Sequence, residues 1–158
     1  MATPDFVVAL REKIGTAPLW LSGVTAVVVR DAEVLLVRRS DNAAWTPVTG
    51  IIDPGEEPAT AAVREVDEET GVRARPDRLV WVHVTGPVVY ANGDETQYLD
   101  LVFRLSWLSG EPVPLDGENT EASWFALDAM PELSADMLRR IHAAVENRPE
   151  THFGFATQ

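Results

Sequence analysis

Three glutamates lie close together on one predicted helix over residues 57–70. At 100° per residue, Glu65, Glu68 and Glu69 fall within about a 100° arc of the helix surface. Like charges at these spacings destabilise an isolated helix by about 0.2–0.5 kcal/mol per pair, which favours a compensating cation. Oxygen ligands without His or Cys favour Mg²⁺, Mn²⁺ or Ca²⁺ over zinc or copper. For three glutamates alone, the alternative is a solvated acidic helix face.

The spacing around these glutamates extends into a longer pattern. Gly50 is followed by five residues and Glu56, then by seven residues and the run REVDEETGV over 64–72. This pattern resembles the signature of the Nudix hydrolases at every fixed position. Segment 34–39 before Trp45, and the pair at 124–125 after an acidic loop, are also similar to family segments, so the resemblance spans roughly residues 20–145.

The resemblance implies an α+β fold, a Nudix-type α/β/α sandwich with a mixed β-sheet. It also implies hydrolysis of a nucleoside diphosphate linked to another moiety, by water attack at phosphorus with Mg²⁺ or Mn²⁺. By motif position, the metal ligands are Glu65, Glu68, Glu69 and the Gly50 carbonyl. Glu56 would pair with Arg64 and hold the loop on the helix. A metal between an acidic site and an anionic substrate cancels their repulsion and stabilises the charge that develops during displacement.

The general base has two candidates, because family members differ between a carboxylate of the motif and a distal loop glutamate. These candidates are Glu65 and Glu118. Glu118 and Glu121 precede Trp124 in the loop from which the family usually supplies the distal acid. The alternative for both loop residues is a pair of exposed carboxylates.

Substrate-binding candidates are weaker signals. Family members acting on ADP-ribose tend to have a proline about 15 residues beyond the motif, where this chain has Pro87; a proline at a strand end is the alternative. Arg38 and Arg39 end a predicted strand, and a guanidinium there could bind a diphosphate, although strand alternation lets only one of them face the site. Aromatic residues could stack on a base but are more often core; these are Trp20, Trp45, Trp81 and Tyr90.

One departure from the family precedes the motif. Many members have Pro-Gly-Gly there, whereas this chain has TPVTG over 46–50, which retains only the final glycine. Thr49 has a Cβ and visits positive φ less freely, so we expect the local backbone to differ in detail.

Three functions of different kinds remain in play. The first is a metal-dependent diphosphatase for ADP-ribose or a nucleotide sugar. The second is a house-cleaning pyrophosphohydrolase of nucleoside triphosphates, (d)NTPs, with the same metal site. The third is a non-catalytic nucleotide-sensing module, which the complete set of motif carboxylates disfavours.

The helices and strands that must position these residues are predicted from the spacing of apolar residues and from the residues typical of helix and strand ends. The glutamates belong to a helix that begins near Pro58, which suits a first turn, and ends at Gly71 as C-cap. Further amphipathic helices are predicted over 4–14 and 134–147, the latter with Ser134 as N-cap. Strands are predicted over 24–30 and 33–38 as a hairpin, and over 79–85, 98–105 and 123–127. Strands without regular βαβ alternation predict a mixed α+β sandwich.

Length and composition set the outer limits. The 158 residues fit a single domain. We predict a Nudix domain over 18–148, preceded by a helical extension over 1–17 and followed by a tail over 149–158. A net charge of −12 argues against long nucleic acid as a partner, but not against a small nucleotide bound through a metal. No apolar run suggests a membrane anchor, and cytoplasm is the default compartment. The exposed stripe Phe6, Val7, Leu10 and Ile14 makes a homodimer possible, although packing on the chain's own sheet would serve equally well.

Overall fold

The structure, a computed structural model, describes residues 3–155 as three helices and nine strands. The helices are α1 (Asp5–Ile14), α2 (Pro58–Thr70) and α3 (Ala135–Glu146). The strands are β1 (Leu19–Arg30), β2 (Glu33–Arg39), β3 (Trp45–Thr46), β4 (Val48–Ile51), β5 (Arg73–Val84), β6 (Val88–Val89), β7 (Glu95–Ser109), β8 (Asn119–Ala126) and β9 (His152–Phe153).

The strands form one mixed sheet in the order β3-β2-β1-β7-β5-β9. Strand β4 adds beside β1, β8 beside β2, and β6 beside β7. Strands β1 and β7 run parallel and pair from Leu19 with Thr96 to Val29 with Ser106. The pairs of β1 with β4 and of β2 with β8 are antiparallel.

The two faces of this sheet are covered by different helices. Val24 and Val28 of β1 belong to a core cluster that includes Val66 of α2. The alternate residue Val27 belongs to a second cluster with Ile141 of α3. Because side chains alternate along a strand, α2 and α3 lie on opposite faces. The predicted α/β/α sandwich with a mixed sheet is confirmed.

The ends of the main helices follow the predicted chemistry. Pro58 occupies the first turn of α2, and Gly71 ends the helix in the left-handed region at φ 67°, donating its N–H to the Asp67 carbonyl. Ser134 caps α3 by accepting a hydrogen bond from the Met137 N–H at 3.3 Å. None of the helices within residues 3–155 has the length and apolarity needed to cross a membrane.

The terminal segments differ from the simplest expectation. Within the predicted tail, β9 pairs in parallel with Trp81 and Val82 of β5, so part of that segment extends the sheet. The apolar stripe of α1 is covered only in part, since Val7 is 5% exposed whereas Leu10 and Ile14 are 39% and 40% exposed. Positions 1–2 of the predicted extension and 156–158 of the predicted tail lie outside the described residues.

Candidate catalytic site

Two of the three helix glutamates are buried. Glu65 is 0% exposed and Glu69 is 4% exposed, whereas Glu68 lies at the surface. The solvated acidic face considered from the sequence therefore does not describe Glu65 and Glu69. Burial of a carboxylate without a partner costs free energy. The groups around Glu65 and Glu69 therefore show how their charge is compensated.

Strand β4 brings its backbone directly against the Glu65 carboxylate. A Cβ placed on Gly50 would overlap the carboxylate atoms of Glu65, so a larger residue cannot occupy position 50 unless that side chain moves. Thr49, on the same strand, pairs with Thr25 of β1 and is not among the residues at positive φ. The departure from the Pro-Gly-Gly pattern is therefore accommodated within a regular strand.

Arg64 connects the carboxylates that lead into and along α2. Its guanidinium lies 2.8 Å from Glu56, 2.8 Å from Glu65 and 3.1 Å from Glu68. It also donates to the carbonyl of Ile51, the last residue of β4, at 3.2 Å, which fixes the end of β4 to the helix. The hydrogen bond from Arg64 holds the pKa of Glu56 below its usual range. One arginine thus organises three carboxylates.

Glu65 nevertheless remains incompletely paired. Its Oε1 accepts from Arg64, but its buried Oε2 has no hydrogen-bond partner among the described residues. Burial raises the pKa of Glu65 to about 7, an effect that the neighbouring Arg64 only partly offsets. Buried polar atoms in proteins are paired as a rule, so an orphaned carboxylate oxygen points to a missing ligand.

Glu69 belongs to a second group formed with the loop before β8. Oxygen atoms of Glu69, Asp116 and Glu118 lie within 4.8 Å of one another. Asn119 donates to Glu69 Oε2 at 2.8 Å and orients that carboxylate. Burial raises the pKa of Glu69; the Asn119 hydrogen bond lowers it, and the Asp116 charge adds to the rise. A cation would relieve this concentration of negative charge.

Backbone hydrogen bonds hold the acidic loop against the end of α2. The N–H groups of Val113 and Leu115 donate to the carbonyls of Thr70 and Glu69 at 3.0 and 3.1 Å. These carbonyls belong to the last turn of α2, where carbonyl groups have no hydrogen-bond partner within the helix itself. At the other end of the loop, the Ser40 N–H donates to the Glu118 carbonyl at 2.7 Å. The loop carboxylates are therefore positioned by the same helix that carries Glu69.

The residues present fit a divalent cation. The donors are oxygen atoms, one of them orphaned and buried, and the carbonyl-bearing backbone of Gly50 lies against Glu65. Hard oxygen donors without His or Cys match Mg²⁺, Mn²⁺ or Ca²⁺.

The two arginines predicted to bind substrate lie in different surroundings. Arg39 binds Asp41 through two hydrogen bonds of 2.9 and 2.7 Å. The hydrogen bonds to Asp41 are the main cause that raises the Arg39 pKa, and the negative charge of Glu69 adds to the rise. Arg38 instead pairs with Glu121 at 2.7 Å. Arg38 also lines a cleft of about 580 Å³ with Trp45, Leu133 and Ser134.

Pro87 lies in the exposed loop between β5 and β6, and Trp20 is 56% exposed. Trp45 and Trp81 are partly buried and pack against Phe125 and His83.

Sequence reasoning missed two residues of the site, Asp116 and Asn119. Both adjoin the predicted Glu118, and the run DGEN over 116–119 is a signal that could have suggested them. Their proximity to Glu69 depends on a contact between segments 50 positions apart, as the Asn119–Glu69 hydrogen bond shows.

Comparison with known proteins gives a consistent result. The NUDIX domain profile matches residues 20–145. A MutT-like protein of Streptomyces ambofaciens is 38% identical over 121 residues, which cover 76% of this chain and 73% of the relative. The NAD-capped RNA hydrolase NudC of Pseudomonas aeruginosa is 34% identical over 111 residues; the match covers 69% of this chain but only 37% of NudC.

Solved structures show the same fold. The crystal structure of a MutT NUDIX hydrolase from Burkholderia pseudomallei superimposes with a TM-score of 0.64 at 26% identity, covering 79% of this chain and 98% of that one.

Proposed function

The chain belongs to the Nudix hydrolase family, which makes it a hydrolase of phosphoric anhydride bonds, and we propose that its substrate is a nucleoside diphosphate linked to a second moiety. ADP-ribose and nucleotide sugars are the first candidates. The observation that supports this activity most strongly is the buried, orphaned oxygen of Glu65 beside Gly50. A protein that only needed stability would not retain it, because an unpaired buried acid is destabilising.

In this proposal Mg²⁺ or Mn²⁺ is held by Glu65, Glu68, Glu69 and the Gly50 carbonyl, with Asp116 and Glu118 close to Glu69. When bound, the metal neutralises phosphate charge and activates water for attack at phosphorus. The chain's own residues then have separate tasks. Arg64 orients Glu65 through Oε1 and leaves Oε2 directed elsewhere, and Glu56 holds Arg64 in place.

Glu118 is the proposed acceptor of the proton from the attacking water. Its carboxylate lies beside those of Glu69 and Asp116. Its backbone carbonyl accepts a hydrogen bond from the Ser40 N–H, which fixes the position of the residue. Glu65 is the alternative base. Its Oε1 is occupied by Arg64, and its Oε2 is the oxygen that this proposal assigns to the metal.

Arg39 is the proposed phosphate-binding residue on β2, because it pairs in the sheet with Asn119, whose side chain donates to Glu69. A guanidinium binds phosphate oxygens through two of its N–H groups. Asp41 occupies the Nε and Nη2 groups of Arg39, so phosphate binding uses Nη1 or requires this ion pair to open. Arg38 and Glu121 bind each other, so their predicted roles in substrate binding require that ion pair to open.

Two observations support a second moiety on the diphosphate. Pro87 follows the motif at the distance typical of family members that act on ADP-ribose. The relative NudC is named for NAD-capped RNA, in which a diphosphate joins two nucleosides. For this chain both point to cleavage between two phosphorus atoms that each bear an organic group.

The test is product identification on ADP-ribose, nucleotide sugars, dinucleoside polyphosphates and (d)NTPs, with and without Mg²⁺ or Mn²⁺. We expect metal-dependent release of AMP and ribose 5-phosphate from ADP-ribose. Pyrophosphate from a triphosphate would instead support the house-cleaning activity, and nucleotide binding without any product would support a sensing module.

Two variants make the assay specific to the site. Glu69→Gln should remove most activity, whereas Asp67→Asn is a matched control on the same helix, because Asp67 pairs with Arg73 at the surface and lies outside the acidic group. Glu118→Ala tests the base separately. A fall in kcat by about 100-fold with little change in KM supports the assignment, and an unchanged rate transfers the role to Glu65.

A further inference from the structure

Arg39 lies on the face of the sheet that carries the acidic site. Leu35 and Val37 belong to the core cluster on the α2 face, and because side chains alternate along a strand, Arg39 at the end of β2 is directed to the same face. A register shift in β8 brings Asn119 opposite Arg39. The Asn119 side chain donates to Glu69 at 2.8 Å, so Asn119 connects Arg39 to a proposed metal ligand.

The carboxylate of Asp41 occupies Arg39 in this structure. Its two oxygens accept from Nε and Nη2 of Arg39 at 2.9 and 2.7 Å, the two-point geometry in which a guanidinium also binds phosphate. The hydrogen bond from Arg39 holds the pKa of Asp41 below its usual range, so the bound group is an anion at neutral pH. Asp41 therefore takes the place that a phosphate of the substrate would take.

A compact turn between β2 and β3 keeps Asp41 within reach of Arg39. The Ala43 N–H donates to the Arg39 carbonyl at 3.0 Å, and the Arg39 N–H donates to the Ala44 carbonyl at 2.9 Å. The Ala44 N–H donates to the Asn42 side chain at 2.9 Å. These three hydrogen bonds do not use the Asp41 side chain. A group that is tethered in this way has a high effective concentration, so it competes with any ligand that arrives from solution.

The ion pair is accessible to a ligand. The side chains of Arg39 and Asp41 are 35% and 52% exposed. Because exposed ion pairs contribute little net stability, a phosphate that also binds the metal can displace the carboxylate. The same turn holds the proposed base through its backbone, since the Ser40 N–H donates to the Glu118 carbonyl at 2.7 Å. That contact does not involve the Asp41 side chain, so opening of the ion pair leaves Glu118 in place.

We propose that Asp41 is an intramolecular competitor of the substrate for Arg39, and that binding of a phosphate by Arg39 requires this carboxylate to be displaced. The inference rests on the proposed function, since it names the residue that controls access to the phosphate-binding arginine of that function. The competition weakens the binding of every ligand that uses Arg39, the substrate and a phosphate-bearing product alike. Asp41 therefore raises KM and favours product release, and it takes no part in the chemical step.

The first experiment measures kcat and KM of Asp41→Asn on ADP-ribose with Mg²⁺. KM should fall about two- to fivefold, the range expected for loss of an exposed ion pair, and kcat should stay within about twofold because Glu118 keeps its backbone contact. An unchanged KM would overturn the proposal. A higher KM would overturn it as well, because it would show that Asp41 orients Arg39 for the substrate and does not compete with it.

A double variant separates competition for Arg39 from general repulsion between Asp41 and an anionic substrate. Arg39→Gln alone should raise KM. In that background Asp41→Asn should change KM little, because the guanidinium for which the two anions compete is already gone. Repulsion through space would persist without the guanidinium, so an equal fall in KM in the Arg39→Gln background would contradict the proposal.

Asp77→Asn is the matched control for the loss of one negative charge. Asp77 contacts Arg75 at 3.3 Å with the same two-residue spacing, but it lies on β5, which β1 and β7 separate from β2. Its KM should equal that of the unaltered protein. A fall in KM as large as that of Asp41→Asn would assign the effect to net charge and would overturn the proposal.

A binding measurement distinguishes failure of this inference from failure of the proposed function. Isothermal titration with α,β-methylene-ADP and Mg²⁺ needs no turnover, and Asp41→Asn should bind this ligand more tightly by the factor by which KM falls. If the unaltered protein does not cleave ADP-ribose or nucleotide sugars, the proposed function is wrong, and the titration alone decides the role of Asp41, with absent binding counting against it. If the unaltered protein cleaves them and the variant binds no more tightly, only the inference about Asp41 is wrong.

Discussion

Each face of the central sheet carries an arginine bound to several carboxylates, at least one of them buried, and the two groups differ in how completely the buried carboxylate is paired. On the α2 face, Arg64 binds Glu56, Glu65 and Glu68, yet Glu65 Oε2 is left without a partner within residues 3–155. On the α3 face, Arg140 binds Asp100, Asp136 and Thr25 at 3.1, 2.6 and 2.8 Å, and the carboxylate oxygens of Asp100 also receive the Thr25 hydroxyl and contact His83.

The difference supports a structural role for the Arg140 group and the proposed catalytic role for the Arg64 group. Asp100 and Arg140 are 3% and 5% exposed, and their mutual pairing compensates for lost hydration while it fixes α3 to β1 and β7. Glu65 is more deeply buried but less well paired. Since the same chain can satisfy a buried carboxylate fully, incomplete pairing at Glu65 supports the proposal that a ligand supplies the missing interaction there.

The largest effect should come from Glu65→Gln. We expect kcat to fall by about 10²–10⁴-fold, because the neutral amide is a poor metal ligand and cannot accept a proton. The free energy of unfolding, measured with urea, should stay within about 1 kcal/mol, because a buried charge is removed while Arg64 keeps Glu56 and Glu68. Strong destabilisation would mean that Glu65 is a structural acid like Asp100.

The reverse outcome is expected for Asp100→Ala. Removal of this carboxylate leaves Arg140 buried with fewer partners and should cost about 3–5 kcal/mol of the free energy of unfolding. The kcat of the folded fraction, assayed at low temperature, should change little. Replacement of Asp100 and Arg140 together by apolar residues should recover much of the loss. A loss of catalysis without destabilisation would contradict the structural assignment.

A smaller effect, on metal affinity, is expected at Asn119. Its side chain donates a hydrogen bond to Glu69, as that of Thr25 does to Asp100. Asn119→Ala should weaken Mn²⁺ binding about 10- to 100-fold, because a residue that orients a ligand contributes on this scale. Isothermal titration with Mn²⁺ measures it directly. Asn42→Ala, on an exposed turn, serves as control. Unchanged affinity would remove Glu69 from the metal ligands.

The smallest effect concerns acid stability. In the folded protein the pKa of Glu56 lies below its ordinary value of 4.5, chiefly because Arg64 binds the charged form. The ionised carboxylate therefore stabilises the fold above that pH, and this contribution is lost as the pH falls through the folded-state pKa. The stability difference between the unaltered protein and Glu56→Gln should shrink below pH 4.5. A difference independent of pH would show that the ion pair adds no stability.

Local signals predicted much of this fold. Pro58 and Gly71 predicted the ends of α2, and Ser134 predicted the start of α3, because these residues act on the turn next to them. The β-branched and apolar runs over 24–30 and 33–38 predicted the hairpin, but β1 begins earlier, at Leu19, because its partner β7 extends the pairing. That partner cannot be inferred from local sequence.

The candidate site shows the same limit. The motif carboxylates and Glu118 were named from spacing and from family resemblance, and they remain proposals. Asp116 and Asn119 were missed, because only the folding of the loop onto the end of α2 brings them to Glu69. The burial of Glu65 was also not predictable, since it depends on the approach of Gly50 from another element.

The parallel pairing of β1 with β7 has a consequence for how this protein is made. Leu19 meets Thr96 and Val29 meets Ser106, so the whole segment between the two strands, α2 included, is enclosed in one loop. Closing a loop of this length lowers the chain entropy before the contacts between β1 and β7 stabilise the fold, and this slows folding. During synthesis, the centre of the sheet cannot form until residues 95–109 have left the ribosome. Until then the edge of β1 that pairs with β7 stays open, and unpaired strand edges favour aggregation during folding.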